Sequence, residues 1–166
     1  MLEPIVVTID IDAPPNDVWA VMKDVEHWPD WTPTMQEVTR LDHGPFTVGS
    51  TTRVRQPRMG PAVWEVTRLD EQRGFTWMSR GPGVMTEGDH AIEPHGSGSR
   101  VTLSIRFSGT LGGLAGRMYF ALATRYIRME AENLRERCEL AHAVEPVART
   151  VADARIGIRR RKVGMR

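Results

Sequence analysis

The residue best suited to do chemistry in this sequence is a histidine in a predicted strand. His90 comes two positions before Ile92, so the two side chains point to the same face of an extended chain. If Ile92 faces an internal cavity, the imidazole could donate a hydrogen bond to a ligand carbonyl or act as a general acid or base. The alternative is a hydrogen-bonded histidine of the core or of the sheet edge. We therefore treat His90 as the candidate catalytic and ligand-binding residue.

Large apolar side chains could surround that histidine. Four rings have apolar neighbours on their strands and should face the dry side of a sheet, where two helix residues would meet them. Rings that line a concave sheet leave an apolar pocket with few polar groups, which suits a flat or strongly hydrophobic ligand. The alternative is that the same rings fill a solid core. The predicted ligand-binding residues are Trp64, Phe75, Trp77 and Phe107 from the strands, and Phe120 and Ile127 from the helix.

A polar residue on a neighbouring strand could add a hydrogen-bond donor to this pocket. Val54 marks the buried face of that strand, and Gln56, two positions later, should share it. Arg53 and Arg55 should point to solvent, because a buried arginine needs an acidic partner. Gln56 is therefore a further candidate for the ligand site.

Signatures of several other chemistries are missing from the sequence. There is no glycine-rich phosphate loop, no helix-borne histidine pair of metalloprotease type and no Gly-x-Ser-x-Gly elbow. The remaining histidines are scattered, so we expect no metal site and no cofactor; they are His27, His43, His95 and His142. Cys138 is the only cysteine, so an internal disulfide cannot form, and we interpret it as a packed thiol.

The elements that would hold these residues follow a simple order along the chain. An alternating strand at 5–12 leads into a short helix at 15–23 and a proline-interrupted turn at 25–33, which carries Trp28 and Trp31. Turn residues then separate six candidate strands, at 35–42, 49–56, 62–70, 74–80, 84–93 and 99–108. Consecutive hairpins followed by a terminal helix predict an α+β fold rather than a parallel sheet.

The terminal helix is predicted to run to about residue 142, with two apolar stripes in its first half and one in its second. The longer stripe contains Phe120, Ile127, Ala131, Leu134 and Cys138. The shorter stripe contains Leu114, Met118, Leu122, Tyr126 and Met129. This pattern predicts that the early part of the helix covers the dry face of the sheet and that the late part closes one end.

Size and charge restrict the function further. The 166 residues suit one domain with one core. Residues 143–166 carry seven basic and two acidic residues, a net charge of +5, which leaves residues 1–142 at −4 out of the total of +1. We therefore divide the chain into a domain at 1–142, which lacks the basic surface of a nucleic-acid binder, and a basic tail at 143–166 that is either solvated or an arm for a partner.

The expected location is the cytoplasm. No apolar run approaches the roughly 20 residues that a membrane-spanning helix requires, and the first residues lack the basic and apolar segments of a secretory signal. The oligomeric state is left open.

Four stretches together are similar to a known superfamily over about residues 4–142. They are IDIDAPPNDVW at 9–19; WPDWTP at 28–33; RQP at 55–57 with AVWEVT at 62–67 and FTW at 75–77; and IEP at 92–94 with GSRVTL at 98–103 and EAENLR at 130–135. The chain resembles the START-like, helix-grip proteins, and among them the polyketide cyclase/dehydrase and lipid-transport branch.

The resemblance implies a fold and a kind of site, but not one activity. It implies a seven-stranded antiparallel sheet that grips a long C-terminal helix, two short helices after the first strand, and an internal cavity for lipids, polyketides or other apolar molecules. We expect a protein that binds or carries a small hydrophobic ligand without catalysis. The alternatives are a polyketide aromatase/cyclase, with His90 as acid or base, and an interaction module that uses the basic tail.

Overall fold

The structure, a computed structural model, describes residues 3–163, with side chains described for residues 3–144. Its elements in chain order are β1 (Ile5–Ile11), α1 (Pro15–Lys23), a 3₁₀ helix (Val25–Asp30), β2 (Glu37–Arg40), β3 (Thr51–Arg55), β4 (Ala62–Asp70), β5 (Gly74–Gly81), β6 (Val84–His95), β7 (Gly98–Ser108) and α2 (Gly112–Val163). The predicted order of strands and helices is confirmed, although β2 is shorter than the predicted strand at 35–42.

The seven strands form one antiparallel sheet in the order β1-β7-β6-β5-β4-β3-β2. Strands β2 to β7 are successive hairpins, and β1 adds to the free edge of β7 with Ile9 opposite Val101. The helix α2 follows β7 and packs against β7 and β1. This is the predicted α+β arrangement in which a curved sheet grips a terminal helix.

Alternation along most of the strands gives the sheet one dry and one wet face. In β7, Val101 and Leu103 are buried beneath α2, while Arg100 points to the other side. There its guanidinium binds the carboxylate of Asp10 on β1, with Nε 2.7 Å from Oδ1, and this partner lowers the pKa of Asp10. The wet face is therefore a surface of paired charges, and any apolar site must lie on the face that α2 covers.

Tryptophan packing fixes the short helices to the dry face. The indole of Trp28 donates to the carbonyl oxygen of Met22 at 3.1 Å, and its ring centroid lies 5.4 Å from that of Trp77 on β5. The ring of Trp31 packs 5.8 Å from Trp28 on the outer side. These contacts join α1, the 3₁₀ helix and the sheet into one core.

The terminal helix is longer than the sequence analysis predicts. α2 continues past residue 142 and through Pro146 as far as Val163. A proline inside a helix removes one backbone hydrogen bond and bends the helix, but it does not have to end it. The side chains of residues 145–166 lie outside the described residues, so the division into a domain at 1–142 and a basic tail at 143–166 stays a prediction.

The side of α2 that faces the sheet matches the two predicted stripes only in part. Ala123, Ile127 and Leu134 are buried against it. Leu114 and Met118, from the shorter stripe, are instead 64% and 68% exposed. The expectation that this stripe covers the dry face is wrong for these two residues, because they lie on the opposite side of the helix from the buried residues, at about 100° per residue.

Candidate functional site

A cavity of about 340 Å³ lies between the dry face of the sheet and the first half of α2. This volume lies within the range of small-molecule sites. Its wall combines aliphatic and aromatic side chains from β3 to β7 with one side of the helix, among them Val54, Trp64, Trp77, Val84, Leu103, Ile105, Phe107, Ala115, Tyr119, Ala123 and Ile127. The polar residues of the wall include Gln56, Ser79, Thr86, His90, Tyr126 and Glu130.

Six of the eight predicted ligand-site residues line this cavity. They are Gln56, Trp64, Trp77, His90, Phe107 and Ile127. The alternation argument works for Gln56 and its neighbours, because Arg53 and Arg55 are exposed on the other side of β3. Arg55 pairs there with Glu37 at 3.5 Å.

Phe75 does not line the cavity, contrary to the sequence prediction. Its side chain is fully buried, and its ring stacks on the imidazole of His90 with centroids 4.5 Å apart and planes 15° apart. The edge of Trp19 and the ring of Phe46 close its other sides. The short helices and the loop that carries Phe46 fill the space at this end of the sheet. Phe75 therefore packs against His90 in the core and does not reach the cavity.

Phe120 also does not line the cavity, and its side chain is 52% exposed. Because residues in a helix are rotated by about 100° from one to the next, the cavity side of this part of α2 is centred between Tyr119 and Ala123. Phe120 lies at the margin of that arc. Tyr119, which the sequence analysis did not single out, occupies the place predicted for Phe120.

A buried acid–base pair provides the most polar part of the cavity wall. The Nε2 atom of His90 lies 3.3 Å from Oε1 of Glu130 on α2, and the two side chains are only 7% and 12% exposed. Glu130 was not predicted as a site residue. The one signal in the sequence is that an acid stands next to the buried stripe of Ile127 and Ala131, but the pairing joins residues 40 positions apart.

The other nitrogen of His90 determines the tautomer. Nδ1 is buried and has no hydrogen-bond partner among the described residues. A proton at Nδ1 would leave a buried donor unpaired, at a cost of about 1–3 kcal/mol. With the proton on Nε2 instead, the imidazole donates to the Glu130 carboxylate, which can only accept, and Nδ1 is left as an unpaired acceptor. The polar edge that the pair turns to the cavity is thus the side of Nε2 and the carboxylate.

Aromatic rings hold the imidazole in place. Besides stacking on Phe75, it meets the edge of Trp77 at 5.6 Å and the ring of Trp28 at 5.4 Å between centroids. The indole of Trp77 in turn depends on Gly88, because a Cβ there would lie 2.6 Å from its Nε1. A single glycine therefore sets the position of a ring that forms both the cavity wall and the cage of His90.

One loop lies across the cavity from the helix. Met59 and Gly60, in the connection between β3 and β4, line the cavity, and Gly60 is exposed. The hydroxyl of Tyr126 on α2 donates to the carbonyl oxygen of Pro57 at 2.5 Å and so ties this loop to the helix. Arg58, next in the loop, has a φ of 61°, which a non-glycine residue rarely adopts. Because Gly60 is exposed while Ala115 and Tyr119 in the same wall are half-buried, we infer that the cavity opens between this loop and the first turns of α2.

Other reactive groups lie away from the cavity. Cys138 is buried on α2, and burial raises the pKa of its thiol to about 12. Within residues 3–144, no cluster of three or more His, Cys, Asp or Glu residues could hold a metal ion. None of the helices described is long and apolar enough to span a membrane.

The fold and this site together define a helix-grip domain that encloses a ligand-sized, mainly apolar cavity. The family model for polyketide cyclase / dehydrase and lipid transport matches residues 4–139. The chain therefore belongs to this family, as its resemblance to the START-like proteins suggested.

Solved structures of low sequence identity share the fold. TTHA0849 from Thermus thermophilus is 22% identical, with a TM-score of 0.68, and the match covers 84% of this chain and 99% of that one. The ZhuI aromatase/cyclase from Streptomyces sp. R1128 is 20% identical, with a TM-score of 0.67, over 82% of this chain and 93% of that one. No curated protein matches the sequence significantly.

Proposed function

We propose that this protein binds a small, mainly apolar molecule that carries at least one hydrogen-bonding oxygen. The observation that carries the proposal is a cavity with aromatic and aliphatic walls in which His90 and Glu130 form a buried polar pair. An apolar wall favours a ligand that leaves water, and a few fixed polar groups orient it.

The composition of the wall supports a flat ligand. Trp64 and Trp77 lie side by side, with centroids 5.1 Å apart and planes 34° apart, and they present ring surface to the cavity together with Phe107. Rings of this size each bury a large area and favour stacked or edge contacts with another ring. A fused-ring molecule with a hydroxyl or carbonyl group matches both the wall and the polar pair.

Calorimetric titration with two matched probes tests this proposal. We expect 1-naphthol to bind, and naphthalene, which lacks the hydroxyl, to bind about tenfold more weakly because no ligand group then meets the His90–Glu130 pair. Ala115→Trp should abolish binding of both probes because Ala115 faces the cavity. Ala121→Trp, on the exposed side of the same helix, should not. Equal binding to both Trp variants, or none to the unmodified protein, would overturn the proposal.

The His90–Glu130 pair favours one second candidate, a dehydrating cyclase or aromatase. In this pair the Glu130 carboxylate, which accepts from Nε2 of His90 and lines the cavity, can take up a proton from a ligand and return it. On a β-hydroxyketone, the pair would remove a proton from the carbon beside the carbonyl and deliver it to the departing hydroxyl, which leaves as water. The pair would end in its starting state, and the ring would gain a double bond. Enolisation of the ketone, which moves a proton from the remaining ring CH2 to the carbonyl oxygen, would then make the ring aromatic.

A model substrate separates this reaction from simple binding. 3-Hydroxy-1-tetralone loses water to give 1-naphthol, which fluorescence detects directly. If the protein is a dehydrating enzyme, kcat should fall about 10²-fold or more in His90→Ala and in Glu130→Gln, with KM little changed. If it is a carrier, the unmodified protein should not exceed the uncatalysed rate, although the product still binds.

Two further expectations remain predictions. We retain the cytoplasm as the expected location. An interaction role for residues 143–166 depends on side chains outside the described residues, and deletion of that segment in a pull-down at two salt concentrations would test it.

A further inference from the structure

The first turns of α2 expose large apolar side chains that the ligand cavity does not use. Leu111, Leu114 and Met118 are 51%, 64% and 68% exposed. Leu114 and Met118, four residues apart, lie along the side of the helix that faces away from the sheet, and Leu111, just before the helix, lies against Gly83 in the turn between β5 and β6. We call Leu111, Leu114 and Met118 the mouth patch.

The mouth patch lies beside the cavity opening. Ala115 and Tyr119, on the same two turns of α2, line the cavity from the other side of the helix. The amide of Leu111 donates to the carbonyl oxygen of Gly83 at 2.7 Å, which holds the turn between β5 and β6 against the start of the helix. Val84, the first residue of β6, directly follows this turn and also lines the cavity. A surface that covered the mouth patch would therefore also meet the rim of the cavity.

The charges on this part of the helix are all positive. Residues 111–129 contain Arg117, Arg125 and Arg128 and no acid. All three arginines are exposed, on the same outward side as Leu114 and Met118. An apolar stripe flanked by arginines complements a surface that is negatively charged outside and apolar just beneath, because arginine can bury its stem while its charge stays at the interface.

We propose that the mouth patch docks on an anionic lipid surface, which brings the cavity opening against the bilayer. The charges select an anionic surface, and the three long, flexible apolar side chains favour lipid over a folded partner, whose rigid surface would have to match them. This proposal builds on the proposed function, because an apolar ligand dissolves in the bilayer and could pass between the bilayer and the cavity.

Vesicle co-sedimentation of the full chain tests the proposal. We expect binding to vesicles of phosphatidylcholine with about 30% phosphatidylglycerol and little binding to phosphatidylcholine alone. The double variant Leu114→Ser/Met118→Ser should bind the anionic vesicles about tenfold or more weakly, because two apolar side chains no longer enter the lipid. Leu140→Ser is the matched control: Leu140 is 66% exposed on the same helix but lies outside the mouth patch, so binding should not change.

The arginines are tested separately. Replacing Arg117 and Arg125 by alanine should weaken binding to the anionic vesicles about fivefold per residue at about 0.1 M salt. Because the serine variants keep every charge, including those of residues 143–166, they separate insertion of the patch from attraction of the basic segment. If the Leu114→Ser/Met118→Ser protein bound like the unmodified protein, or if the unmodified protein bound neither kind of vesicle, the proposal would be overturned.

The same variants distinguish this proposal from the cavity proposal. The double serine variant should still bind 1-naphthol in solution, because neither residue lines the cavity. Loss of vesicle binding with retained 1-naphthol binding supports docking. Vesicle binding that persists in a protein unable to bind 1-naphthol would leave docking intact and overturn only the proposed ligand.

Discussion

A methyl group added at Gly88 tests how the cavity wall is built. Gly88 lies on β6 opposite Trp77, and a Cβ at this position would approach Nε1 of that indole to 2.6 Å and Cδ1 to 3.0 Å. Ordinary van der Waals contact begins near 3.4 Å. The indole would have to move by about 0.8 Å, and it is packed against Trp28, Phe75 and His90.

The expected cost follows from this packing. Forcing extra atoms into a packed core costs about 1–3 kcal/mol, while replacing glycine by alanine recovers about 0.4–1 kcal/mol through the unfolded chain. Gly88→Ala should therefore lower the free energy of unfolding by about 0.5–2 kcal/mol. For a chain of this length, that corresponds to a fall in Tm of about 1–8 °C. Because Trp77 moves, affinity for 1-naphthol should change as well.

Thermal unfolding followed by circular dichroism measures the effect. Gly60→Ala is the matched control, because Gly60 also lines the cavity but a Cβ there would meet nothing within 4 Å. We expect no loss of stability in the control. An unchanged or higher Tm in Gly88→Ala, with unchanged 1-naphthol affinity, would refute the idea that Gly88 makes room for Trp77.

Three further predictions follow from single contacts. Because burial raises the pKa of Cys138 from 9.0 to about 12, the thiol of the folded protein should resist iodoacetamide at about pH 8. Above about pH 9 the thiol ionises in the unfolded chain but not in the folded protein, so the free energy of unfolding should fall as the pH rises, and it should fall less steeply in Cys138→Ala. Tyr126→Phe removes the bond to Pro57 and should speed 1-naphthol release in stopped-flow measurements. Phe107→Ser should weaken 1-naphthol binding about tenfold or more, whereas Phe120→Ser should leave it within about twofold, as calorimetry can check.

The sheet and most of the cavity wall could be predicted because strand alternation depends on near neighbours. Residues two apart in a strand share a face, so Ile92 predicts the face on which His90 lies, and Val54 predicts the face on which Gln56 lies. The order of hairpins and the terminal helix then follows from turn residues. The alternation of apolar and polar residues does not show which element covers a given residue. Phe75 was therefore predicted to line the cavity, although Trp19 and Phe46 pack over its ring.

Long-range pairing explains the other differences. Glu130 meets His90 across 40 positions, and no local pattern shows that contact. Leu114 and Met118 continue an apolar stripe, and periodicity alone cannot tell a buried stripe from an exposed one. Phe120 lies at the edge of the helix side that faces the cavity. A rotation of the helix by less than the 100° between successive residues is enough to move its side chain from the cavity to solvent.

The central claim is that the space between the sheet and α2 is a ligand site, and the indole signals of the protein test it directly. The chain has five tryptophans, and each gives one indole N–H signal in a ¹⁵N–¹H spectrum. On titration with 1-naphthol, the signals of Trp64 and Trp77 should shift because both rings line the cavity. The signal of Trp19, whose indole donates to Glu71 at 2.9 Å outside the cavity, should stay in place. Unmoved signals of Trp64 and Trp77 at saturating 1-naphthol would contradict the account.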